Sequence, residues 1–86
     1  MKQSLALKIA SKFNEAYFDT PGADYYIARA YVEHDELNAE DCDVIITSRR
    51  TAILYEPLRL AMKICSRYKL LMFVQSGSSL RIIIHS

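Results

Sequence analysis

Tryptophan is absent from this chain, and glycine, proline, cysteine and histidine occur twice each in 86 residues. Each scarcity closes something off. Few glycines and prolines mean few tight turns and long uninterrupted elements. Cysteine and histidine are scarce, and no zinc site is expected. No serine or cysteine sits in the small-residue elbow that presents a nucleophile. No apolar run approaches the ~18 residues of a membrane span. The apolar run at 5–10 is broken by Lys8 and lacks a small-residue cleavage site, so no secretory leader is read there. Cys42 and Cys65 lie inside apolar runs, where free thiols act as small buried hydrophobes. The expectation is a cytoplasmic protein with reduced thiols, a single disulfide being the alternative.

What the chain does have is charge sorted by position. Residues 1–43 hold nine acids and four bases, a net of −5, and residues 44–86 hold seven bases and one acid, Glu56, a net of +6. The overall +1 hides this split. A polarised small domain is generally built to meet something charged or a copy of itself. A hydrophobic content of 51% is enough for a core and argues against disorder. The length is that of one domain, 1–86, with marginal stability that dimerisation would raise.

Periodicity sets the element order. Leu5, Ala6, Ile9, Ala10, Phe13, Ala16 and Tyr17 recur at helical spacing, so 4–18 reads as a helix with Ser4 as its N-cap, stopped by Asp19-Thr20-Pro21-Gly22. Residues 25–33 alternate. Tyr26, Ala28, Ala30 and Val32 make a small apolar face suited to lie under a helix, and Tyr25, Ile27, Arg29, Tyr31 and Glu33 make an exposed one. After an acidic connection at 34–41, residues 42–47 form a second strand around Val44, Ile45 and Ile46.

Residues 51–68 carry helical spacing at Leu54, Leu58, Ala61, Met62, Cys65 and Tyr68, but Pro57 interrupts it. Proline in a helix interior costs ~3 kcal/mol and at the first position almost nothing. A third strand at 51–55, reached by a turn at 48–51, followed by a helix at 57–68, is preferred to one kinked helix. Strands at 70–74 and 80–85, joined by the five residues 75–79, complete the chain. The last strand has only Arg81 and His85 as polar residues, which places it in a sheet interior or at an interface. The fold class is α+β: a two-layer sandwich, a mainly antiparallel sheet of four or five strands with two helices on one face, ordered α-β-β-β-α-β-β or α-β-β-α-β-β.

Candidate sites are weighed against plainer readings. His34 beside Asp35 and Glu36 would have a raised pKa, but a solvated loop explains it as well. Glu33, Asp35, Glu36, Glu40, Asp41 and Asp43 lack the spacing of a calcium loop, so neither metal nor cofactor is expected. Arg49, Arg50, Arg59, Lys63, Arg67 and Lys69 concentrate positive charge. Of these, Arg59, Lys63 and Arg67 fall at i, i+4 and i+8 on one helix stripe, a geometry that attracts phosphates or is merely solvated.

Tyr25, Ile27, Arg29 and Tyr31 share one strand face and are types enriched in interface hot spots. The reading that follows is a small non-enzymatic protein-binding module: an inhibitor, adaptor or subunit of the kind phage and mobile-element accessory genes encode. It would act by occluding or tethering a partner protein through that face. The alternative is a nucleic-acid binder using the basic half. A homodimer through the apolar last strand is expected as well. The acidic connection and the Arg49-Arg50 tip are expected to stay separate surfaces rather than an internal ion-pair network.

Overall fold

A computed structural model describes residues 1–18, 28–37, 41–48 and 55–84. Its elements run α1 (Gln3–Phe18), β1 (Ala28–His34), β2 (Cys42–Ser48), α2 (Tyr55–Cys65), β3 (Leu71–Ser76) and β4 (Ser79–Ile84). This is the shorter of the two expected orders. Residues 49–54, which would hold the expected hairpin tip and most of the expected third strand, lie outside the described residues, and Tyr55 opens a helix instead.

All strand pairs are antiparallel and the sheet order is β1-β2-β4-β3. Both helices pack on one face. Ala6, Ile9, Ala10 and Phe13 of α1, with Ala61 and Cys65 of α2, share a buried core with Ala28, Ala30, Cys42, Val44, Ile46, Leu80, Ile82 and Ile84 from the sheet. Alternation in β1 puts its alanines under α1, where small side chains let a helix approach closely. Phe13 is the largest fully buried side chain of the core they share.

Several boundaries differ from the sequence reading, each for a local reason. Ser4 is not the cap. Met1 is buried and its amine donates to the Cys42 carbonyl, so the helix starts at Gln3 and the Lys2 carbonyl takes the first helical bond, from Ala6 N–H. Pro57 sits in the first turn of α2 and not at its first position. The first four N–H groups of a helix have no partner within it, so proline removes no bond there, and its ring is buried.

The helix ends at Cys65 and not at Tyr68. The Ser66 hydroxyl donates to the Lys63 carbonyl, and Tyr68 N–H closes a turn on the Cys65 carbonyl. Within the expected apolar stripes, Ala16 and Met62 are exposed.

The connection between the last two strands is also tighter than expected. Residues 75, 76 and 79 join the ladder, leaving the two-residue turn Gly77-Ser78. Gly77 has φ of 56°, and no described non-glycine residue has positive φ, which is the II′ pattern that suits a twisted hairpin.

β4 is interior, hydrogen-bonded by β2 on one side and β3 on the other. Its reading as a sheet-interior strand holds. Its reading as a pairing edge for a dimer does not, because both its edges are already used. Among the described residues the sheet ends at β1 and β3.

Candidate protein-binding face

The strand register defines what the helix-free face displays. One row runs Arg29, Thr47, Ser79, Ser76 and the next Tyr31, Ile45, Arg81, Val74. Glu33 beside Asp43, and Ile83 beside Met72, make the third. On the β3–β4 half Met72, 51% exposed, and Val74, 42% exposed, stand with Ile83 as an apolar patch beside Arg81, Ser76 and Ser79. The β1–β2 half is polar, with Tyr31 standing 45% exposed at its centre.

Arg81 joins the halves. From β4 its guanidinium donates to Asp43 Oδ2 on β2 at 2.9 Å and to Glu33 Oε1 on β1 at 2.8 Å. Those two hydrogen bonds, Glu33 first, hold its pKa above the ordinary arginine range, so it stays a fixed positive charge. To span from β4 to β1 its methylene stem must cross β2 beside Ile45, which is 4% exposed although it points away from the helices. Arg81 belongs to the basic half of the sequence and its two partners to the acidic half. The expected separation of the acidic connection from the Arg49-Arg50 tip falls in part on residues outside those described; at Arg81, which that expectation left out, strand pairing brings the two halves together.

Beyond Arg81 lies a cavity of about 380 Å³ at the end of the sheet. It is lined by Glu33, Asp35, Glu36, Asp41 and Asp43 together with His34, Leu37 and Arg81. Five carboxylates against one guanidinium make it acidic. Its rim is built by the β1–β2 connection, where Asp35 Oδ1 accepts from Leu37 N–H at 2.7 Å and Asp35 N–H donates to the Asp41 carbonyl at 2.9 Å. That turn leaves Leu37 99% exposed beside the acids. Among the described residues no cluster of three or more His, Cys, Asp or Glu is arranged to hold a metal ion.

Neither cysteine is in a disulfide, and both are buried. Cys42 Sγ lies 3.3 Å from His34 Nδ1, a contact that follows from their cross-strand pairing. The thiol is sealed from solvent, which a nucleophile must reach. Burial pushes the Cys65 thiol up to about 11.

Of the residues singled out from sequence, Arg29 and Tyr31 stand on the open face, while Tyr25 and Ile27 lie outside the described residues. Arg49 and Arg50 also lie outside them. Arg59 and Lys63 are exposed on α2, beside Glu56 in a shallow groove. The expected three-charge stripe is two residues long, because Arg67 follows the helix end and folds over Tyr68, 5.3 Å from the ring centroid. Lys69 is exposed in the bend before β3.

Two residues were not singled out. Arg81 had a signal, as one charge in an apolar interior strand. Asn14 of α1 had a weaker one, a single polar residue at the margin of an apolar stripe. Its side chain donates to the Ala30 carbonyl and accepts from Ala30 N–H, both at 2.9 Å.

Fold and face together define a two-layer α+β chain with a one-sided antiparallel sheet. No protein-family model, curated protein or solved structure matches it. No described helix is long and apolar enough to cross a membrane.

Proposed function

We propose that the chain is a non-enzymatic protein-binding module whose open sheet face receives its partner. The observation that carries this reading is the pairing of exposed Tyr31, Met72 and Val74 with an acidic cavity at the end of the sheet, which shares Glu33, Asp43 and Arg81 with the open face. An aromatic with a polar tip, set beside apolar area and ringed by charge, has the composition of an interface centre and rim. The partner chemistry follows: an apolar patch to lie on Met72, Val74 and Ile83, and a lysine or arginine to enter the acidic cavity, where Leu37 offers its aliphatic stem a contact. Occlusion or tethering of that partner is the mechanism, with the charged segments steering the encounter.

The test uses a captured partner, purified and titrated. Tyr31→Ala and Glu36→Lys should each weaken binding at least about tenfold, or ~1.4 kcal/mol, with circular dichroism unchanged. Unchanged affinity in both variants would overturn the reading. The alternative, nucleic-acid binding through exposed Arg59 and Lys63, predicts heparin retention at low salt that is lost steeply by ~200 mM. Absence of retention at low salt removes it.

A further inference from the structure

We infer that β3 is the seam of a two-fold homodimer in which the sheets of two copies join edge to edge. The inference rests on the backbone of β3 and is independent of what binds the open face. In an antiparallel ladder each residue turns its N–H and C=O to the same side, and the sides alternate. Ser76 and Ser79 flank the two-residue turn and bond each other, so Val74 with Arg81 and Met72 with Ile83 are the other mutually bonded pairs. Leu71, Phe73 and Gln75 therefore aim their N–H and C=O groups outward, where no described residue pairs with them. The same alternation holds on the far side of the sheet, where the outward groups of Ala30 are the ones Asn14 bonds.

Natural sheets blunt such an edge with charge, proline, a bulge or a covering element. β3 has none of the first two: Leu71–Ser76 reads LMFVQS, without a charge or a proline. It also has no bulge, since its register with β4 is continuous. The occupant is a second copy because the strand complements itself. An antiparallel pairing about a two-fold axis at Phe73 sets Phe73 against its mate and Leu71 against Gln75 of the second copy. All three outward residues of each copy are then satisfied, with about six backbone hydrogen bonds across the seam.

Residues opposite each other in an antiparallel pair lie on the same face, so this register continues the open face and the helix face without a break. Met72 then meets Val74 of the second copy, which covers their adjoining flanks and leaves their tips on the shared open face. No charge opposes a charge, because the nearest, Lys69, falls across from the Gly77 turn. A short chain with a small core gains from that burial. The product is a closed dimer with two open faces side by side on one continuous sheet.

Sedimentation of the full chain between about 1 and 100 μM tests this. The expected mass rises from 9.9 kDa toward twice that value. Gln75→Pro removes one outward donor while leaving every β3–β4 bond, and should stay monomeric, whereas Tyr31→Ala should still dimerise. A wild-type mass that stays monomeric at ~100 μM, or a dimer that Gln75→Pro leaves intact, overturns the inference, as does open-ended polymerisation of the wild type. If Gln75→Pro fails to fold, hydrogen exchange of the wild type decides. Protection of the Leu71, Phe73 and Gln75 amides should grow with protein concentration, and concentration-independent exchange there overturns it.

Discussion

The two ends of this sheet are managed in opposite ways. At β1 a helix side chain takes the place of a missing strand: Asn14 presents an acceptor and a donor to Ala30 with the geometry a neighbouring peptide would offer. Charged Arg29 and Glu33 flank that point on the open face. At β3 no described group does the same, and the strand carries no charge at all. An edge strand unsatisfied along its length is a liability or a docking site, and the treatment of β1 shows what closing one requires. It takes a helix lying close over the strand, which the small Ala28 and Ala30 permit, and an amide at the right turn of that helix.

The largest disturbance to this contrast is expected from Phe13→Ala. Phe13 precedes Asn14 and seats α1 on the sheet, and its truncation should cost about 3–5 kcal/mol in urea unfolding. Protection at β1 should be lost with it, making the two edges alike. A cost below about 1 kcal/mol would mean that α1 is held by something other than its core stripe.

High pH attacks the core beneath both edges together. The Cys65 thiol is raised from 9.0 to about 11 by burial, so the folded state holds its proton longer than the unfolded chain. Stability is full below about pH 9 and falls as pH rises from there through 11, by about 2–3 kcal/mol at ~1.4 kcal/mol per pH unit. Cys65→Ala should flatten that part of the curve, and an unchanged slope would assign the loss to another group.

Asn14→Ala addresses the contrast directly. It leaves both Ala30 groups without their partner and should cost about 2 kcal/mol. It also opens β1, so light scattering at high protein concentration should rise as sheets gain a second joining edge. Gly77→Ala loosens the other end. An added Cβ meets nothing within 4 Å, so the cost is the left-handed backbone alone, about 1–2 kcal/mol. Exchange in β3 and β4 should then quicken before that in β1 and β2. Arg81→Met is the smallest. Its ion pair with Glu33 is solvent-exposed and that with Asp43 half-buried, and the loss should be about 1 kcal/mol and shrink in salt. A larger loss would show that Arg81 clamps the three strands it spans.

The parts of this arrangement legible in advance are those written in nearest neighbours. The division of β1 into an alanine face and an Arg29/Tyr31/Glu33 face follows from a period of two, and burial of Phe13, Ala61 and Cys65 follows from a period near 3.6. The tight Gly77-Ser78 turn was obscured because Gln75, Ser76 and Ser79 look like loop residues; they are in strands because the opposite backbone bonds them. Pro57 is expected at the first helical position because proline costs almost nothing there, but the whole first turn lacks bonds to lose and the helix opens at Tyr55. Neither Asn14 on Ala30 nor Arg81 on Glu33 is visible locally, since their partners lie 16 and 48 residues away.

By itself the amino-acid sequence determined the kinds of elements, their faces and the separation of charge along the chain, because these depend on side-chain chemistry repeating at short, fixed intervals. Only the tertiary structure decided the order β1-β2-β4-β3, and with it which strand is interior, which edge is capped and where opposite charges meet. Those outcomes turn on hydrogen bonds and core packing between segments distant in sequence. Every backbone offers the same bonding groups, and what selects among pairings is how the helices and strands fill one common core.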